Sequence, residues 1–192
     1  MFKKAKLWQL YIFPFLVVIL ILAGEKGKFA LEALQSFEDI AQNTQALGEV
    51  DVRNFEKAHV TKVIDGDTIE IETGEHVRFI GVDTPETVHP KKSVQCYGRD
   101  ASNKTKALLE GKDIYLEKDV SETDRYKRLL RYIYLPNPDA PEETIFINEY
   151  LVEQGYGVVI TYPPDVKYHK HFLEVQRVAQ DEQRGLWGKC KT

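Results

Sequence analysis

Hydrophobic and polar positions divide the chain into three stretches with different periods. Leu7 to Gly24 reads LWQLYIFPFLVVILILAG, a run without a single charge, set behind Lys3, Lys4 and Lys6. As a helix rising about 1.5 Å per residue it spans ~27 Å, close to the ~30 Å of a bilayer core. Pro14 is no obstacle, because spanning helices tolerate proline. The run is longer than the ~7–15 apolar residues of a cleavable signal, and Ile21-Leu22-Ala23-Gly24 is a poor cleavage site. The pattern predicts residues 1–24 as an uncleaved signal anchor, a transmembrane helix, with a cleaved signal as the second reading. In both, the lysines hold the N-terminus in the cytoplasm and the remaining chain crosses the membrane. Residues 25–57 read as a linker. Within it Phe29, Leu31, Leu34, Phe37 and Ile40 have the loose helical spacing of a short amphipathic stalk.

From about residue 58 to 192 the period changes to two. VTKVI, TIEIE and HVRFIGV are short β-branched runs with alternating polarity, read as three strands. Asp65-Gly66 and Thr73-Gly74-Glu75 lie between them and carry hairpin chemistry. Ile69 and Ile71 are expected in a core, with Glu70 and Glu72 in water. A Pro-, His- and Lys-rich loop follows, then a helix over 100–110 closed by Gly111. DIYLEK and LLRYIYL predict two more strands, PNPDAPEET a loop, INEYLVEQ a helix stopped by Gly155, and 168–183 a longer helix. Five strands with late helices predict an α+β domain on a five-stranded OB-fold barrel with about three helices.

Composition narrows the chemistry. With 43% hydrophobic and 29% charged residues, the 192-residue chain is not a disordered tail, and it is too short for two full-sized domains. A net charge of −4 argues against gripping a polyanion by bulk positive charge. Any such substrate must be met by local charges or a bound cation. Cys96 and Cys190 are too few for a four-cysteine zinc cage, and leave one disulfide open.

Carboxylates concentrate in two places, Asp65-Gly66-Asp67-Thr68 and Asp83-Thr84-Pro85-Glu86-Thr87. Antiparallel pairing brings the start of the second strand near the end of the third, so Asp67 and Asp83 are expected to meet. Two carboxylates with a main-chain carbonyl and waters suit Ca²⁺ or Mg²⁺. No His/Cys cluster competes for a softer metal; His89 stands alone in its loop and reads as a surface or substrate contact. Arg78, on a strand, and Arg128, after Asp124-Arg125-Tyr126-Lys127, add two guanidiniums. Cation, guanidiniums and a spare carboxylate, Glu86, are what phosphodiester hydrolysis needs.

The ordered motifs VIDGDT (63–68), RFIGVDTPETVHPKK (78–92), YGRDAS (97–102), DRYKRLLRYIY (124–134) and GLW (185–187) carry a family likeness. Through them the chain resembles the staphylococcal-type thermonuclease family, OB-fold calcium-dependent nucleases, from about Val60 to Trp187. The resemblance implies Asp67, Asp83 and the Thr84 carbonyl as calcium ligands and Arg78, Glu86 and Arg128 as the catalytic set. Asp65 is implied behind them, and Arg125 and Tyr126 at the substrate's terminal phosphate. A second substrate tyrosine falls at Thr161 or Tyr162. The resemblance further implies cleavage of DNA and RNA to leave 3′-phosphates. From Ala58 onward, 19 Lys and Arg face 23 Asp and Glu, so capture of nucleic acid must lean on calcium and aromatic stacking. In an oxidising compartment, Cys96 and Cys190 are expected to pair. The competing reading is a non-catalytic nucleic-acid-binding OB-fold module, although every position such modules lose is filled here. The sequence points to no protein partner.

Overall fold

A computed structural model describes residues 51–87, 94–137 and 140–190. The signal anchor, most of the linker and His89 lie outside the described residues. Among the described residues, no helix is long and apolar enough to cross a membrane.

A short 3₁₀ turn, Val52–Asn54, leads into β1, Glu56–Asp65, which starts inside the stretch read as linker. The other strands are β2 Thr68–Ile71, β3 His76–Phe79, β4 Val82–Asp83, β5 Asp113–Glu117, β6 Leu129–Asn137, β7 Ala140–Phe146 and β8 Val158–Val159. The helices are α1 Gly98–Leu109, α2 Ile147–Glu153, α3 His169–Asp181 and the single turn α4 Leu186–Lys189. β1 is long enough to serve two neighbours. Its first half pairs with β5 and its second with β2, with register shifts that bend it between them. Parallel pairing of β3 with β6 then joins the two ends, so β1, β2, β3, β6 and β5 form a closed barrel.

Alternation fills this barrel. Val60, Ile69, Ile71, Val77, Phe79, Ile114 and Ile133 are buried together, capped by Leu109 of α1 and Leu151 and Val152 of α2. Each side chain of this size contributes roughly 1.5–3 kcal/mol by leaving water. Ile69 and Ile71 point inward and Glu72 is exposed, as the period of two requires. α3 is fastened by an aromatic layer in which Tyr134 stacks on Phe146 with centroids 4.7 Å apart. Buried Glu117 accepts hydrogen bonds from the Tyr134 and Tyr168 hydroxyls at 2.8 and 3.0 Å and pairs with Lys167. Burial, and then hydrogen bonding with Tyr168 and with Glu117, push the Tyr134 phenol far above its ordinary range.

Two expectations are corrected. HVRFIGV is not one strand. β3 ends at Phe79, Gly81 turns left-handed at φ 79°, and Val82–Asp83 pairs instead with β8. A Cβ on Gly81 would sit 2.7 Å from the Phe172 ring, so sterics and backbone both demand glycine there. PNPDAPEET is not simply a loop either. β6 continues to Asn137 and β7 begins at Ala140, in the register Leu135↔Ile145 and Pro136↔Thr144. Pro136 lies beyond the reach of β5, and Pro141 lies on an edge strand, so neither breaks a two-sided ladder.

Cys96 and Cys190 form a disulfide across a sequence separation of 94, with Cα atoms 5.8 Å apart. Disulfide bridges typically stabilise a fold by about 2–4 kcal/mol.

Candidate active site

The β1–β2 hairpin turns at Gly66-Asp67, and Gly66 is there because Thr84 crosses over it. A Cβ at Gly66 would meet the Thr84 hydroxyl oxygen at 2.6 Å. This crossing lets Asp67 Oδ2 accept from Thr84 twice, from its N–H at 2.8 Å and its hydroxyl at 3.0 Å. Arg78 lies opposite Thr68 in the β2–β3 ladder, and its side chain turns toward the same end. Its Nη1 donates to the Phe79 and Val82 carbonyls at 2.9 and 2.5 Å. Its Nη2 donates to Asp83 Oδ1 at 2.8 Å and lies 3.4 Å from Asp67 Oδ2. One guanidinium thus draws together two carboxylates that are sixteen residues apart. The Arg78 and Asp67 side chains are 12% and 10% exposed, whereas Asp83 is 50% exposed and opens to the cleft. Burial raises the Asp83 carboxyl above its ordinary value. Arg78 opposes the shift, and the charges of Asp67 and Glu86 add to it. Crowded negative charge of this kind is relieved by a cation.

Asp65 sits at the other side of the hairpin turn. Its Oδ1 accepts from the Gly66 N–H at 2.8 Å and the Thr87 hydroxyl at 2.6 Å, and its Oδ2 accepts from the Thr87 N–H at 3.2 Å. Burial raises its carboxyl; the bonds from Thr87 and Gly66 lower it, and a bond shared with Glu86 raises it. Asp65 therefore fixes the residue beside Glu86 and touches Glu86 itself.

The third wall is the turn before β6. Asp124 Oδ1 accepts the Tyr126 and Arg128 N–H groups at 2.8 and 3.0 Å. Its Oδ2 takes Arg128 Nε at 2.8 Å and Nη2 at 2.6 Å, a two-pronged grip that aims the guanidinium. Burial works to raise the Asp124 carboxyl, but these bonds outweigh it and the carboxyl lies below its ordinary value. Arg128 Nη1 reaches Thr68 Oγ1 at 3.5 Å, bringing it over the β2 strand beside Asp67. Tyr126, 64% exposed, lies under both Arg125 and Arg128, whose guanidinium carbons are 4.8 and 5.4 Å from its ring centroid. Buried Arg131 braces this turn through the side chain and carbonyl of Glu122. Hydrogen bonds from Lys118 and then Arg131 pull the Glu122 carboxyl down to about 2.

A single cleft of about 1060 Å³ is lined by Asp65, Asp67, Arg78, Asp83, Thr84, Glu86, Arg125, Tyr126 and Arg128. All nine residues singled out in the sequence for this site are thus brought together. Of the two alternatives for a second tyrosine contact, Tyr162 lines the cleft and is 67% exposed. Thr161 is instead engaged with His169 Nδ1 at 2.6 Å. Sequence reasoning missed Asp124, the holder of Arg128, although an acid four residues before an arginine in a polar turn is a readable signal. It also missed Asp165. This buried acid binds the Val120 and Ser121 N–H groups at 3.0 and 2.8 Å and ties the Tyr162 wall to the segment opposite. Nothing local in the sequence distinguishes it.

Among the described residues, no group of three or more His, Cys, Asp or Glu side chains is gathered to hold a metal. The donor chemistry nonetheless fits a hard cation. Asp67 and Asp83 offer carboxylate oxygens to one cleft, and the Asp83 side chain is half-exposed there beside its ion pair with Arg78.

A closed five-stranded barrel with paired acids and two arginines at one end defines a class, and comparison places the chain within it. Residues 76–189 match the model of the family described as Staphylococcal nuclease homologue. The chain is 38% identical over 137 residues to the thermonuclease of Staphylococcus hyicus, covering 70% of this chain and 77% of that one. It is 41% identical over 140 residues to the thermonuclease of Staphylococcus intermedius, covering 71% and 79%. It is also 34% identical over 156 residues to endonuclease YncB of Bacillus subtilis (strain 168), covering 77% and 71%. The chain belongs to the staphylococcal nuclease family and is by class a nuclease, a phosphodiester hydrolase.

Proposed function

We propose that the chain is a calcium-dependent endonuclease that cleaves DNA, RNA or both, leaves 3′-phosphate ends and acts outside the cytoplasm. The observation that carries the reading is the single cleft in which Arg78 gathers Asp67 and Asp83 beside Glu86 while Arg128 approaches from the opposite wall. Asp67, Asp83 and the Thr84 carbonyl would hold the ion, which supplies charge neutralisation at the scissile phosphate when bound. Glu86 accepts a proton from the attacking water. Arg78 and Arg128 donate to the phosphate oxygens as charge accumulates on them, and their planar forks suit that geometry. The water oxygen bonds to phosphorus as the bond from phosphorus to the 5′ oxygen breaks; the 5′ oxygen takes up a proton and leaves as a hydroxyl, and the phosphate stays on the 3′ side. Arg125 and Tyr126 bind the substrate's terminal phosphate, and Asp65 steadies the Glu86 segment.

The test is digestion of plasmid, single-stranded DNA and RNA by the full chain in detergent, with end-group analysis and with calcium present or chelated. Calcium-dependent cutting to 3′-phosphates is expected. Cutting that persists unchanged in chelator overturns the calcium dependence. Binding without cuts points to the non-catalytic module instead.

The extracytoplasmic placement is supported by the uncharged run Leu7 to Gly24 and by the Cys96–Cys190 bridge, since such bonds persist in oxidising compartments. The chain is thus read as a single-pass membrane protein with its nuclease domain outside, or as a secreted one after cleavage. A reporter that works only outside the cytoplasm, fused after Thr192, is expected to be active; a silent fusion reverses the topology.

A further inference from the structure

Glu86 lies on a short irregular segment, and its aim depends on what holds that segment. One side is held by Asp65 through Thr87. The other side is held by Gln95. The Gln95 side-chain Oε1 accepts the Glu86 N–H at 2.9 Å, and the Gln95 N–H donates to the Glu86 carbonyl at 3.0 Å. Both main-chain polar groups of Glu86 are therefore engaged by one residue nine positions away. The contact is close-packed as well. A Cβ on Gly98 would meet the Pro85 carbonyl at 2.8 Å and the Glu86 carbonyl at 3.1 Å, so the turn Gln95–Gly98 lies directly against Pro85–Thr87.

That turn has its own anchor. Cys96, next to Gln95, is bonded to Cys190 at the end of α4. α4 in turn is seated on the helical scaffold, where the Leu186 N–H donates to the Gly155 carbonyl at 2.8 Å. Tyr97 is held left-handed at φ 66° and stacks on Tyr156 at 5.6 Å. A non-glycine residue keeps that backbone only where its surroundings impose it.

We propose that Gln95 is a positioning residue for Glu86, and that the Cys96–Cys190 bridge anchors Gln95 to the scaffold. The proposal rests on the reading of Glu86 as proton acceptor. Its physical basis is that a misplacement of about 1 Å in a reacting group costs up to ~10²-fold in rate. The bridge thereby serves the chemistry in addition to stability.

The test compares kcat and KM of the full chain with Gln95→Met, Gln95→Glu and the double variant Cys96→Ser/Cys190→Ser, all assayed well below their unfolding midpoints. Gln95→Met keeps the length and removes the acceptor. It is expected to lower kcat about 10- to 100-fold with KM changed less than about threefold. Gln95→Glu restores the acceptor oxygen and is expected to recover most of kcat. A role in folding alone would move the midpoint but would not show this split or this rescue. A wild-type kcat in Gln95→Met overturns the proposal, as does a Gln95→Glu variant no faster than Gln95→Met. The double cysteine variant is expected to lose kcat in the same direction, and full kcat there overturns the anchoring. Glu86→Gln separates the two levels. If it cuts as fast as wild type, the reading of Glu86 fails; if it is slow while Gln95→Met is not, only the positioning role fails.

Discussion

Glu86→Gln is expected to lower kcat by about 10²–10⁴-fold, the range for loss of a positioned general base. The substitution changes almost nothing else. Gln has the same length and nearly the same shape, and the main-chain groups of Glu86 remain held by Gln95 on either side of the peptide unit. The neighbouring Asp65 gains slightly, because its carboxyl is raised in part by the bond with Glu86. Folding stability should therefore be unchanged or marginally higher. KM should also move little, since Arg125, Tyr126 and the guanidiniums of Arg78 and Arg128 are untouched. The measurement is initial rate against substrate concentration at fixed calcium, with a thermal midpoint for each protein. A kcat within about threefold of wild type would remove Glu86 from the proton-transfer step.

Arg78→Lys should be almost as damaging, despite keeping the charge. Arg78 makes four contacts in fixed directions, to the Phe79 and Val82 carbonyls and to Asp83 and Asp67. A lysine ammonium has three donors on a flexible stem and cannot reproduce that planar fork. Two consequences follow. On the proposed mechanism the phosphate loses a donor aimed at the charge that builds in the transition state, an expected loss of about 10²–10³-fold in kcat. The carboxylates of Asp67 and Asp83 also lose the group that draws them together, so calcium affinity should fall. Loss of the buried main-chain acceptors' partner should cost about 1–3 kcal/mol of stability. Rates over a calcium titration, with urea unfolding alongside, separate these effects. Full activity in the lysine variant at every calcium concentration would show that the fork is not needed.

Parts of this molecule can be read from short stretches of residues. Alternation at Ile69, Glu70, Ile71 and Glu72 is a local property with period two, and it marks the inward face of β2 without reference to any partner. Hairpin chemistry at Asp65-Gly66 and Thr73-Gly74-Glu75 is equally local. Gly111 and Gly155, both left-handed, stop helices where the sequence says they should. The nine cleft-lining positions singled out in the sequence could be named because the family's motifs are long, contiguous and in order.

Other features rest on contacts that no local period encodes. The break of HVRFIGV at Gly81 depends on Phe172, a ring from α3 that occupies the space of a Cβ. The setting of Asp83 depends on β8, whose Val158 pairs with it across the fold. Pro136 and Pro141 look like loop residues until the ladder with β7 shows which of their edges lack a partner. Asp165 is an ordinary turn acid until Val120 and Ser121 come to it. Composition and alternation decided which apolar residues are buried, because hydration acts on each side chain separately. Folding decided which buried or charged groups stand next to one another, because pairing across 10 to 100 residues is a matter of chain path.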